Sequence, residues 1–114
     1  MTWAQTFGQN DPDNVLPLYA TDGVLWGTLS PTVRADRAAV RDYFVTAFKV
    51  LPGLKVTFGE QFIRIYGDAA VNTGSFKNGE TKTLPARYSC TLVKDGESWI
   101  LVDHHSSAMP APPR

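Results

Sequence analysis

The chain has 114 residues, 43% of them hydrophobic and 19% charged, with eleven Lys plus Arg against eleven Asp plus Glu. That is the length of one globular domain, which buries roughly two-thirds of its unfolded surface and needs no disulfide, metal or second domain to fold. A net charge of zero supplies no basic field for nucleic acid, no apolar run approaches the ~18 residues that cross a bilayer, and the single Cys90 excludes an internal disulfide or a cysteine-based zinc site.

Met1-Thr2-Trp3-Ala4-Gln5 lacks the basic and then apolar regions of a signal peptide, so the expected location is the cytoplasm. Residues 1–108 read as the domain and residues 109–114 as a proline-rich tail. Asn10-Asp11-Pro12-Asp13 carries a helix start, a capping acid before a proline, and Pro17 keeps that helix short or distorted. Val24 to Leu29 reads as a strand ended by Ser30-Pro31. Asp36 caps the clearest helix, residues 37–51, whose Val40, Tyr43, Phe44, Ala47, Phe48 and Leu51 recur at the spacing of one buried face. Pro52-Gly53 stops it.

Four strand-like segments follow: Leu54 to Tyr66, Ala69 to Lys77, Leu84 to Lys94 and Ser98 to Ser106. Gly67-Asp68, Asn78-Gly79 and Asp95-Gly96 are the expected turns, and connections this short force antiparallel pairing. Helices first and a meander afterwards is an α+β layout, with helices covering one face of a curved antiparallel sheet. Strict alternation in the last strand sets Ile100, Val102, His104 and Ser106 on one face and Trp99, Leu101, Asp103 and His105 on the other. Neither face is purely polar. The helices cover one, and the other is expected to pack on a second subunit.

Several segments together resemble one superfamily: Asp11-Pro12, Leu18-Tyr19-Ala20-Thr21-Asp22-Gly23-Val24-Leu25, Arg41-Asp42-Tyr43-Phe44, Ile63 to Ala70, Ala86-Arg87-Tyr88 and Trp99 to Pro110. The order is similar to that of nuclear transport factor 2-like proteins. The closing His104-His105-Ser106-Ser107-Ala108-Met109-Pro110 resembles bacterial relatives of the association (hub) domain of calcium/calmodulin-dependent protein kinase II, often grouped with SnoaL-like proteins. The resemblance implies a cone-shaped, cystatin-like α+β fold, an apolar cavity with a few polar groups, and dimerisation through the sheet face. Some members are isomerases, cyclases or epoxide hydrolases, and others are binding or scaffolding modules, so the fold alone leaves the function open. Trp3 stands near the terminus where relatives carry it midway along a longer helix, which implies a less complete lid. Ser106 stands where the kinase hub carries an arginine.

Five residues form the candidate ligand-binding set: Arg87, His104, Tyr43, Trp26 and Arg64. Arg87 lies within the apolar run Leu84 to Leu92, where a charge needs a partner, and its planar fork suits a small carboxylate inside the cone. The competing role is a salt bridge on the outer sheet face, for instance with Asp103. Arg64, between Ile63 and Ile65, serves either the same pocket or a dimer interface. His104 reads as a polar pocket-lining group, with acid/base catalysis and simple core packing as alternatives. Trp26, Phe44, Phe48 and Phe62 read as core or cavity wall, and Tyr43 as a donor.

Adjacent His104 and His105 point to opposite faces of a strand, which disfavours one shared metal. The sequence holds no nucleophile elbow, phosphate loop or spaced metal-ligand pair, so no catalytic residue, metal or cofactor is assigned. The resulting expectation is a non-catalytic homo-oligomeric module with an apolar pocket for a small carboxylate or apolar ligand. The alternative is a cofactor-free isomerase, cyclase or hydrolase.

Overall fold

Asp11 opens the first described helix. Its carboxylate accepts the Asp13 N–H at 2.9 Å, and Pro12 occupies the first turn, where its missing N–H costs no hydrogen bond. The computed structural model describes residues 6, 9–50, 56–78 and 84–110. Helix α1 (Pro12–Val15) passes into a single 3-10 turn (Leu16–Leu18) around Pro17, the expected short form. Strand β1 (Tyr19–Trp26) begins earlier than the sequence suggests and ends before Leu29, because the chain then folds back on itself. Leu25 N–H donates to Arg34 O at 2.8 Å, and Arg34 N–H returns a bond to Leu25 O at 2.9 Å.

Helix α2 (Arg37–Val50) starts where the Asp36 carboxylate accepts the Ala39 N–H at 2.8 Å. Val40, Tyr43, Phe44, Ala47 and Phe48 form its buried face, as the spacing predicts. Leu51, Pro52 and Gly53 lie outside the described residues, as do Trp3, Leu54 and residues 111–114 of the expected tail. Arg41 of α2 pairs with Asp13 of α1 at 2.9 Å, and that guanidinium holds the Asp13 carboxyl below its usual range. The pair is exposed and screened by water, so it guides the packing of α1 on α2 more than it stabilises it.

Strands β2 (Val56–Tyr66), β3 (Ala69–Asn78), β4 (Leu84–Asp95) and β5 (Ser98–Ala108) pair antiparallel in succession. The sheet order is β1-β5-β4-β3-β2, and β1 runs parallel to β5. This one parallel pair departs from the expected all-antiparallel sheet. No hairpin links β1 to β5: α2 and three strands intervene, and the long connection permits parallel entry at the edge. The β2–β3 turn is Gly67-Asp68 as expected, while the β4–β5 turn is Gly96-Glu97 rather than Asp95-Gly96. Each turn needs its glycine at the first central position, where φ is +64°. Gly79 of the remaining turn lies outside the described residues.

The sheet's inner face packs on α2, and the core joins Val15, Tyr19, Leu25, Tyr88, Cys90 and Leu101 to the buried helix residues. Strict alternation fails in β5. Thr91 pairs with Asp103 and the next residue, Leu92, pairs with Leu101, so Val102 is an extra residue in a β-bulge. The bulge shifts the side-chain period by one. Leu101, only 2% exposed, therefore shares the inner face with buried His104 and Ser106, whereas Asp103 and His105 are exposed on the outer face and Ile100 pairs with outward Val93. This corrects the expected grouping of Leu101 with Asp103 and His105.

Leu101→Ala is expected to cost about 2–5 kcal/mol in urea unfolding, the range for a large-to-small change in a packed core. A loss below about 1 kcal/mol, typical of surface changes, would contradict its inward placement.

Candidate functional site

The register of the four pairings defines rows that cross the sheet. One inner row runs Ile63, Asn72, Cys90, His104, Leu25 from β2 to β1, and its neighbour runs Gln61, Gly74, Tyr88, Ser106. Their centre is polar but internally paired. Tyr19 Oη lies 2.6 Å from His104 Nδ1, with the two rings stacked at 5.9 Å between centroids. Thr28 Oγ1 donates to Ser106 Oγ at 2.9 Å, and Tyr88 Oη donates to Asn72 Oδ1 at 2.9 Å. From the helix side, Tyr43 lays its ring against Gly27, where any Cβ would collide with it, and its hydroxyl accepts the Leu29 N–H at 3.4 Å.

Burial governs the electrostatics of this face. It lowers the His104 imidazole to about 4, with His105 pushing the same way to a smaller extent. It raises the Tyr19 phenol well above its ordinary value, assisted by Cys90 and Tyr43, and pushes the Tyr88 phenol and the Cys90 thiol up to about 12. Tyr43 is raised too, although the Leu29 and Thr28 backbone amides partly oppose the shift. Every one of these groups is neutral at pH 7. Among the described residues no Asp or Glu is buried, and no cluster of three His, Cys, Asp or Glu side chains is arranged to hold a metal.

The outer face has a different chemistry. Arg87 stands opposite Ser107, His105 opposite Ser89 and Trp26 opposite His105. Arg87, His105, Phe62, Thr73 and Ser89 line a shallow depression of about 500 Å³. A second depression, of about 260 Å³, opens at the end of β2 and β3 between Phe58, Phe76, Lys77 and Met109. Arg64 is exposed and shares the outer face with Val71 and Thr91.

A family model described as a SnoaL-like domain matches residues 1–112. The chain belongs to the SnoaL-like family. Its structure is similar to that of a candidate calcium/calmodulin-dependent protein kinase II association domain from Xanthomonas campestris, at 32% identity and a TM-score of 0.86, covering 95% of this chain and 81% of that one. A candidate dehydratase of the NTF2-like family from Streptomyces avermitilis shares the fold at 14% identity and a TM-score of 0.83, over 96% of this chain and 90% of that one. A cystatin-like protein of unknown function from Nostoc punctiforme does so at 17% and 0.81, over 97% and 86%. No curated protein matches. The fold is therefore NTF2-like and cystatin-like, as the sequence resemblance implies.

This SnoaL-like domain divides the five candidate residues between two faces. His104 and Tyr43 are buried on the inner side, while Arg87, Arg64 and Trp26 point outward. Arg87 and His104 thus do not share a cavity, contrary to the expectation of a joint carboxylate site inside the cone. The reason is alternation in β4, where Ala86, Tyr88 and Cys90 fill the inner positions and leave Arg87 the outer ones. Nor does Arg87 pair with Asp103, which stands four residues along β4, opposite Thr91. The sequence reading missed the link between Tyr19 and His104. The signal was present in the Leu18-Tyr19 segment, but β1 as read from Val24 left Tyr19 outside the sheet.

The buried imidazole sets a pH dependence. Folded His104 stays neutral down to about pH 4, whereas an unfolded imidazole takes its proton near 6.5. Between those values the unfolded chain binds the extra proton, so stability is full above pH 6.5 and falls on acidification, by on the order of 3 kcal/mol in all. Urea unfolding across this range is expected to give a shallower pH slope for His104→Gln than for the wild type. Equal slopes would mean that His104 protonates in the folded state as readily as in the unfolded one.

Proposed function

We propose that this SnoaL-like domain is a non-catalytic association module, a homodimer joined through its outer sheet face with an inner face suited to a small apolar, oxygenated ligand. One observation carries the association. Phe62 and Tyr66, each 61% exposed, and Trp26, 50% exposed, sit on the sheet face opposite α2. They stand at the two opposite edges of that face, and large aromatic side chains left exposed on one face favour a protein–protein interface over free solvent-facing surface. The likeness to the Xanthomonas campestris association-domain candidate favours the same reading.

The ligand class follows from the neutral inner face. With Arg87 and Arg64 outside and His104 uncharged, a neutral oxygenated ligand suits this face, whereas a carboxylate finds no counter-charge. Arg64, Arg87 and Trp26 then serve the dimer, and Tyr43 and His104 the ligand.

Sedimentation equilibrium is expected to give a dimer at about 10 μM, a concentration at which a specific interface of ordinary size is occupied. Phe62→Glu and Tyr66→Glu, both at exposed positions, should each yield a monomer with unchanged far-UV circular dichroism. A wild-type monomer at that concentration overturns the reading.

A second reading, a cofactor-free isomerase, cyclase or hydrolase, draws on the 2.6 Å contact between Tyr19 and His104, a buried donor–acceptor pair able to polarise a carbonyl. The two readings separate in one assay with a panel of small cyclic ketones and phenols, followed by NMR. The expected result is binding without conversion, weakened about tenfold in His104→Gln by loss of a buried hydrogen-bonding group. Conversion by the wild type that His104→Gln and Tyr19→Phe both abolish establishes the enzymatic reading instead.

A further inference from the structure

The outer face carries a symmetry of chemistry across the line between β3 and β4. One row runs Arg64, Val71, Thr91, Asp103 from β2 to β5, with opposite charges at its two ends. At a strand spacing of ~4.8 Å, each charge stands roughly 7 Å from that line, on opposite sides of it. The adjacent row runs Tyr66, Ala69, Val93, Ile100, with bulky apolar groups at its ends and smaller ones at its centre. On the other side the hydroxyls of Thr73 and Ser89 flank the same line. Neither Arg64 nor Asp103 has an ion-pair or hydrogen-bond partner among the described residues.

We infer that the two-fold axis of the homodimer lies parallel to the strands along the β3–β4 line, so that Arg64 of each subunit pairs with Asp103 of the partner subunit. The inference rests on the homodimer reading above and adds its geometry. A two-fold axis there exchanges the two ends of every row. Each Arg64 then faces a carboxylate, each Tyr66 faces Ile100 of the partner subunit, and hydroxyl meets hydroxyl at the centre. The other outer arginine, Arg87, faces Ser75 of the partner subunit, since those two flank the same line in the next row. Sheets packed face to face stand ~10 Å apart, a gap that an arginine and an aspartate side chain reaching toward each other span. An axis perpendicular to the strands lays each strand over its own copy instead, and Arg64 then meets no Asp103.

Charge reversal tests this arrangement on the full chain. Arg64→Asp and Asp103→Arg alone each create two like-charge contacts, and each is expected to weaken the dimer at least about tenfold in sedimentation. Mixing the two variants in equal amounts makes both contacts attractive, so native mass spectrometry should show a heterodimer that neither variant forms with itself. The double variant Arg64→Asp/Asp103→Arg should dimerise like the wild type. Far-UV circular dichroism checks that each variant is folded, and the wild-type dimer should dissociate more readily as salt rises. If the wild type dimerises but the single variants dimerise equally well, or mixing gives no heterodimer, the axis is wrong while the dimer stands. A monomeric wild type removes both.

Discussion

The extra residue in β5, Val102, determines the character of both sides of the sheet. By shifting the period between Leu92 and Thr91 it turns Leu101 toward α2 and sends Ile100 outward to join Val93. The inner face gains one of its most deeply buried side chains, and the outer face gains the end of its apolar row. The edge strand answers the same irregularity, since its pairing steps from Tyr19 opposite Leu101 to Val24 opposite Asp103. Three residues of slack in β1 are absorbed exactly where β5 bulges. A regular β5 would expose Leu101 and bury Ile100 and Val102 instead, and Tyr19 would lose the register that brings its hydroxyl to His104.

The inner face achieves polarity without charge. Tyr19 with His104, Thr28 with Ser106 and Tyr88 with Asn72 satisfy one another, so burial carries little penalty for the polar atoms themselves. Among the described residues, no buried carboxylate stands beside the His104 imidazole. The hydrogen-bonded pairs form a wall of oriented, uncharged dipoles on the helix side of the sheet. The outer face is the reverse, with its arginines, aspartate and aromatics set in solvent. Alternation along β4 and β5 separates these two chemistries with a single strand thickness between them.

Much of the fold was legible in the sequence because its signals are local. Asp11 and Asp36 are helix caps by chemistry and by neighbourhood, the α2 face follows from spacing, and the glycines at 67 and 96 mark turns. The family resemblance gave the cone. The site was less legible because each assignment depended on which face a residue takes, and one bulge inverts that answer for everything on its far side. Arg87 shows a second limit: a charge in an apolar run signals burial only if the run is buried on both faces, and here it is buried on one. His104 lies C-terminal to the bulge, in the regular half of β5, so the residues that change face, Ile100 and Leu101 among them, are on the N-terminal side. The parallel entry of β1 is a non-local event that no short window of sequence encodes.

Strand β2 forms one edge of the sheet, and within it Phe62, Ile63, Ile65 and Tyr66 are all largely exposed. Four aromatic or β-branched side chains within five residues, on an edge unpaired among the described residues, are a template for adding further strands from other molecules. Arg64 sits at the midpoint of that stretch. A single charge there makes stacked copies repel, while the bulge between Phe58 and Gln61 bends the strand away from a flat edge. In the proposed dimer, the guanidinium that meets Asp103 of the partner subunit would thus also serve as a gatekeeper against open-ended assembly.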